Sequence, residues 1–240
     1  MEFANAKRLL SRVRRAVEKY EMIEKNDGIA VALSGGKDSL SLLAALAELR
    51  RFYAVPFSLR AVTVDPGFGA DFAPMRSFCE ALDVSLLVVP APIREIVFDA
   101  RGEKNPCALC AKIRRAALVQ SAKDLGCAKL ALGHHADDAV VTFMMNLMNE
   151  GRVGCFSPVT FLEDAGVTVI RPLVMTRESE IGCFVKNNAL PVAPSLCPVD
   201  KHTAREDCAR LLRGLEKENK GLMKRLYTAL EKGEIDGFRS

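Results

Sequence analysis

Apolar positions along this chain fall into two alternating patterns. Gly28 to Leu33 is a short continuous run with the length and β-branching of a strand buried in a parallel sheet. Leu40 to Leu49, which follows it, consists of strong helix formers. The alternation then repeats. Strands are predicted over Ser58 to Asp65, Val84 to Val89, Ala128 to Gly133 and Val167 to Leu173. Helices are predicted over Phe72 to Leu82, from Cys107 to Gly126, over Ala136 to Asn149 and over Arg177 to Asn188. Pro74 fits only in the first turn of its helix. Pro90 to Pro106 and Gly151 to Ala165 read as irregular, and Pro191, Pro194 and Pro198 stiffen a further loop. At the N-terminus Ala6, Leu9, Leu10, Val13, Ala16, Val17 and Tyr20 recur at helical spacing. Residues 201 to 240 read as two short charged helices.

Five strands alternating with helices predict an α/β fold, a doubly wound parallel five-stranded sheet with flanking N- and C-terminal helices. The expected organisation is a basic amphipathic helix over 1–25, a sheet domain over 26–200, and charged helices over 201–240 packed on that same domain. Ligands on such sheets bind beyond the carboxyl ends of the strands, where the strand order reverses. The turn after the first strand, Val64 and Asp65 after the second, and Gly133 to Asp138 after the fourth should therefore meet in one cleft.

Composition narrows the class. A chain of 240 residues buries a sizeable single core. No apolar run is long enough for a membrane span, and the basic, acid-containing N-terminus is not a secretory signal, so a cytoplasmic protein without a membrane partner is expected. Eight dispersed cysteines point to a metal or redox site rather than a disulfide scaffold. The net charge of +4 permits a nucleic-acid partner without requiring one. Lys7, Arg8, Arg12, Arg14, Arg15 and Lys19 crowd one face of the first helix, which is either a solvated face or a footprint for RNA phosphates. Near the other end Arg205, Arg210, Arg213, Lys217, Lys220, Lys224 and Arg225 alternate with acids, which favours a solvated helix.

Three segments carry candidate chemistry. Ser34-Gly35-Gly36-Lys37-Asp38-Ser39 lies between the first strand and its helix. Its glycines let the backbone approach a ligand, and the helix start offers unpaired amides and partial positive charge. Lys37 and the Ser34 and Ser39 hydroxyls add donors, so the turn is built for phosphate. It is not a Walker A loop, since Val31 stands where the first glycine would be, and it is not a dinucleotide-binding Gly-x-Gly-x-x-Gly. Gly133-His134-His135-Ala136-Asp137-Asp138 runs from a strand into a helix. Acids there suit a helix N-terminus, and equally a Mg2+ bridging phosphate oxygens, with a histidine donating to phosphate. Asp137 is the preferred ligand and Asp138 the second. Pro106-Cys107-Ala108-Leu109-Cys110, before Lys112-Ile113-Arg114-Arg115, sets two thiols at chelating spacing at a helix start, which lowers a thiol's pKa.

Ser34 to Ser39 resembles the pyrophosphate-binding loop of the PP-loop (N-type) ATP pyrophosphatases, which cleave ATP to AMP and pyrophosphate to activate an oxygen. Gly133 to Asp138 resembles a segment of the PP-loop enzymes that modify tRNA. With the Cys-x-x-Cys before a basic helix and a lone Cys197 in the proline-rich loop, the whole resembles the tRNA 2-thiocytidine synthetase family over roughly residues 25 to 230. The resemblance implies an adenine nucleotide alpha hydrolase-like fold and a [4Fe-4S] cluster on Cys107, Cys110 and Cys197, with one iron left open to carry sulfur. It implies ATP with its phosphates on Ser34 to Ser39 and its adenine near Ala32, Val64 and Gly133, with Leu33, His134, Asp137 and Asp138 also in the ATP site. Lys37, Asp38 and Asp137 are the catalytic candidates, and Mg2+ is held by Asp137 or Asp138. The implied reaction is adenylation of a cytidine C2 oxygen in tRNA and its replacement by sulfur. The sulfur donor is a cysteine desulfurase or free sulfide, and a homodimer is left open. The alternatives are a ligase of the tRNA lysidine synthetase type, a thiolating enzyme with a small-molecule acceptor, and a non-catalytic cluster protein that senses iron or redox state. Cys79 and Cys127 are expected to be small buried hydrophobes, while Cys155, Cys183 and Cys208 have no companion at chelating spacing.

Overall fold

A computed structural model describes residues 3–100, 106–194, 196–198 and 203–239. The chain begins with α1 (Lys7–Lys19), which packs Leu9, Val13, Ala16 and Val17 into the core. Strand β1 (Asp27–Ala32) then leads through the glycine turn into α2 (Lys37–Arg50). Next come β2 (Phe57–Asp65), α3 (Ala73–Ala81) and β3 (Leu86–Pro90). A π-helical turn at Arg94–Ala100 precedes α4 (Pro106–Asp124). The second half runs β4 (Lys129–Ala131), α5 (Ala136–Glu150), β5 (Val159–Leu162), β6 (Val167–Ile170) and α6 (Glu178–Asn188). Helices α7 (Ala204–Glu218) and α8 (Leu222–Lys232) close the chain.

Among the described residues six strands form one sheet in the order β3-β2-β1-β4-β6-β5. Five are parallel. The order runs outward from β1 through β2 to β3, then crosses back through β4 to β6, so the switch point lies between β1 and β4. The expectation of five strands therefore needs one correction. Gly151 to Ala165 is not loop throughout: Val159–Leu162 folds back antiparallel on β6, with Val159 opposite Ile170 and Leu162 opposite Val167. A four-residue edge strand closed by a turn at Glu163 to Gly166 is too short to show a period of its own.

Helix α2 is enclosed almost all round, with Leu40, Leu42, Leu43, Ala44, Leu46 and Leu49 at 0% exposure. It carries no side-chain cap, so its first amides are left to the cleft at the switch point. The main core takes in Leu9 and Val17 of α1, Leu212 of α7, Tyr227 and Leu230 of α8, and Phe238. Much of the N-terminal basic face is spent on this docking. Arg8 and Arg12 both pair with Glu180 of α6, and Lys19 reaches Glu231 of α8 at 2.9 Å.

Candidate active site

The glycine turn is wound tightly by its own serines. Leu33 N–H donates to Val62 O at 2.8 Å and ends the β1 ladder. Ser34 N–H donates to Ser39 Oγ at 3.1 Å, and Gly36 N–H donates to Ser34 Oγ at 3.3 Å. Ser39 Oγ donates to Gly36 O at 3.0 Å. Gly35 sits at φ +79°, and a Cβ there would stand 3.2 Å from Met75 Cε and 3.3 Å from Ala193 Cβ, so only glycine fits. Ala32 and Leu33 end β1 at this turn, Val64 nearly ends β2, and Gly133 follows β4, which places all of them along the carboxyl edge. Gly133 is there for proximity: a Cβ would lie 3.2 Å from Asp38 C and from Ser39 N, inside the first turn of α2.

Lys37 is shared between two carboxylates, Asp38 Oδ2 and Glu178 Oε1, each at 3.1 Å. Burial presses its pKa down, but Asp38 and Glu178 outweigh that and leave it above the ordinary lysine value. Glu178 has no signature in the sequence. It arrives because Asp137 Oδ2 accepts the Glu178 N–H at 2.7 Å, while Asp137 Oδ1 pairs with Arg177 at 2.9 Å. Asp137 thus holds the start of α6 against the cleft. Asp138 closes a capping box with His135: its Oδ2 accepts from His135 N at 3.0 Å, and its own N–H donates to His135 Nδ1 at 3.3 Å. Its Oδ1 accepts from Arg205 of α7 at 2.7 Å. Burial works against the charged form of Asp138, but His135 and Arg205 win and hold it below the usual carboxylate range. Asp38 differs from both, because its buried Oδ1 has no hydrogen-bond partner.

His134 leans on Phe156 with ring centroids 5.1 Å apart, and its buried Nδ1 has no hydrogen-bond partner. Burial, reinforced by Arg171, pushes its pKa down to about 4, so the imidazole is neutral.

The cysteine segments meet at the same edge. Cys110, Leu109 and Ile113 of α4 pack on the small apolar cluster of Val64, Ala91, Ile93 and Val97 at the carboxyl end of β2. The proline-rich loop is tied to the glycine turn, since Ala193 N–H donates to Gly35 O at 3.0 Å. Cys197 follows four residues later. Burial pushes the Cys110 thiol up; Arg114, whose Nη2 lies 3.7 Å from the sulfur, opposes this, and Cys197 and Cys107 both raise it further. The expectation that the helix start lowers this thiol is therefore corrected: at Cys110 the apolar setting outweighs the helix end. Among the described residues, no three His, Cys, Asp or Glu side chains converge tightly enough for a single metal ion. Cys107 and Cys197 both act electrostatically on the Cys110 thiol, and thiolates are the ligands an iron–sulfur cluster takes. Cys79 and Cys127 are buried, as expected of small hydrophobes.

Arg171, Arg177, Arg205 and Phe156 also reach this edge, and nothing in their local sequence marks them. Arg171 directly follows β6, which ends at Ile170 rather than at Leu173 as the apolar run suggests, so the strand-end rule applied to the predicted strand passes over it.

Comparison with known proteins agrees with this geometry. The PP-loop domain family matches residues 6–193. A relative named tRNA-cytidine(32) 2-sulfurtransferase, from Xanthomonas axonopodis pv. citri, is 37% identical over 229 residues, covering 93% of this chain and 74% of that protein. The U34-tRNA thiolase NcsA from Methanococcus maripaludis, solved with its [4Fe-4S] cluster, superposes with a TM-score of 0.77 at 25% identity, covering 95% of this chain and 80% of that one. The NH3-dependent NAD synthetase of Campylobacter jejuni, at 12% identity and a TM-score of 0.52 over 98% of this chain and 96% of its own, shares the fold.

Proposed function

The chain belongs to the PP-loop domain family and, within it, to the tRNA-cytidine 2-sulfurtransferases, and from that premise we propose how its residues thiolate tRNA. The enzyme is an ATP-dependent tRNA sulfurtransferase. ATP lays its phosphates on the amides at the start of α2, where Lys37 exchanges Asp38 and Glu178 for phosphate oxygens. The C2 oxygen of a cytidine attacks the α-phosphorus, and the bond to pyrophosphate breaks. Lys37 and the amides meet the charge that develops on the leaving pyrophosphate. Sulfide then attacks C2, the C2–O bond breaks, AMP departs with the oxygen, and a C2 thiocarbonyl remains.

The carboxylate we assign to Mg2+ is Asp38, because Asp137 and Asp138 each have both oxygens engaged while Asp38 Oδ1 accepts no hydrogen bond, its nearby His135 Nε2 standing 3.8 Å away. Asp137 acts on the site by seating Glu178 beside Lys37. A [4Fe-4S] cluster held by Cys107, Cys110 and Cys197 would supply a soft iron position able to carry sulfur. Arg114 steadies Cys110 from the next turn of α4. We place the reaction in the cytoplasm, with a cysteine desulfurase or free sulfide as donor.

The observation that carries this reading is the bond from Ala193 N–H to Gly35 O, which holds the loop leading to Cys197 against the phosphate cradle. The test pairs tRNA-dependent pyrophosphate release with mass spectrometry of tRNA nucleosides from cells lacking the protein. Release stimulated by tRNA, with 2-thiocytidine missing from those cells, is expected. Release that ignores tRNA, together with an unchanged nucleoside profile, would rule the reading out.

A further inference from the structure

The basic residues at the two ends of the chain are largely taken up by carboxylates. Arg8 and Arg12 pair with Glu180, Arg14 with Glu18, Lys19 with Glu231, Arg205 with Asp138, Arg210 with Asp207 and Arg213 with Glu206. Arg171 is different. It stands at the carboxyl end of β6, on the cleft edge, and only neutral groups hold it. Its Nη1 donates to Ser157 O at 2.5 Å and to Thr160 Oγ1 at 3.2 Å, and its guanidinium carbon lies 5.1 Å from the centre of the Phe156 ring. Its buried Nε has no hydrogen-bond partner, and no ion pair of Arg171 is found among the described residues.

A largely buried guanidinium without a counter-ion is costly, and its fixed geometry suits a bidentate anion. A second cation makes the case stronger. Helix α4 packs on β6, and Arg115 is exposed on α4; burial first and the charge of Arg115 next push Arg171 down to about 10. Two arginines carried by packed elements, each adding positive potential to the other's surroundings, form a site suited to negative charge. The positive field extends along the edge to His134, on which Arg171 is the largest charge effect. Arg114, beside Cys110, is part of the same ridge, and its buried Nε lacks a partner.

We propose that Arg115 and Arg171 clamp a backbone phosphate of the acceptor RNA next to the nucleotide to be thiolated, fixing the strand between the cysteine segment and the phosphate cradle. This rests on the tRNA reading given above. The guanidinium of Arg171 is pre-set by Ser157, Thr160 and Phe156, so little order has to be imposed when the strand arrives. Arg115, exposed on the helix surface, closes on the phosphate from the other side.

The same chemistry would accept a phosphate of ATP, so the test has two arms. The Kd for a tRNA transcript is measured across about 50 to 200 mM salt, and the Kd for ATP is measured without RNA. Arg115→Gln is exposed and leaves the fold alone, while Arg171→Lys keeps the charge but loses the planar fork. Each is expected to raise the RNA Kd roughly fivefold to tenfold. Arg115→Gln should also flatten the salt slope by about one unit. The double variant should lose little beyond either single one, since both act on one phosphate. ATP affinity should stay within about twofold of wild type. If Arg171→Lys fails to fold, Arg115→Gln alone decides. Unchanged RNA affinity and slope in Arg115→Gln, with wild type binding tRNA normally, would overturn the clamp and leave the tRNA reading standing. Loss of ATP affinity with RNA affinity intact would reassign the clamp to the nucleotide and overturn the RNA assignment. A wild-type protein that does not bind tRNA at all would overturn both.

Discussion

Replacing Gly133 by alanine is the most direct test of how the cradle is built. The new methyl carbon would lie 3.2 Å from Asp38 C, 3.2 Å from Ser39 N and 3.4 Å from Asp38 O. Ordinary non-bonded contacts settle at about 3.5–4.0 Å, so the end of β4 and the start of α2 must part by about 0.3–0.8 Å. None of the three atoms belongs to a flexible side chain, and overpacking against backbone costs about 1–3 kcal/mol. The displaced atoms are the first turn of α2, which carries Lys37 and the phosphate-facing amides. If a 1 Å misplacement costs about a hundredfold, a shift of half that size costs about tenfold. Gly133→Ala should therefore lower the urea-unfolding free energy by about 1–3 kcal/mol and raise the Kd for ATP about tenfold. Gly182→Ala is the control: it lies inside α6, an added Cβ meets nothing within 4 Å, and the change should stabilise by up to about 1 kcal/mol without touching ATP. Urea titration and isothermal titration with ATP read both quantities. Gly133→Ala indistinguishable from wild type in both would refute the close-approach argument.

Other outcomes follow from the same geometry. Lys37→Ala should cut AMP formation at least about a hundredfold while leaving iron content after anaerobic reconstitution unchanged; surviving turnover would remove the lysine from its role. Cys110→Ala should abolish the cluster's visible absorbance and keep ATP affinity within a few-fold, whereas equal loss of both would mean the two sites are not separable. His134 titrates near 4 in the folded protein against about 6.5 when unfolded. The unfolded chain therefore holds more protons across that interval, and stability is full above pH 6.5 and declines as pH falls toward 4, by up to about 3 kcal/mol. In urea unfolding at stepped pH, His134→Gln should show a shallower decline, and parallel curves would contradict a neutral buried imidazole.

Local sequence was enough for the parts of the site that a single turn or strand end supplies. The glycine turn, the acids after β4 and the run of strands and helices are each written within a few neighbouring residues. What stayed hidden depends on residues brought together from far apart. Glu178 beside Lys37 follows from a hydrogen bond between Asp137 and the start of α6, and no spacing announces it. Asp137 and Asp138 were legible as helix-start acids and as cleft residues, but their partners Arg177 and Arg205 were not. The sign of the shift at Cys110 depends on how deeply α4 sinks onto Val64 and Ile93, which a motif cannot state. The antiparallel strand Val159–Leu162 escaped because four residues carry too little periodicity.

The link between Ala193 and Gly35 is made of main chain alone, so an alignment of side chains would pass over it. A change of residue type at 193 leaves the donor in place unless the newcomer is proline, which has no N–H to give. Prolines stand at 191 and 194, on either side, and skip the one amide that is needed. The ring stiffness of this loop has been distributed around its anchor.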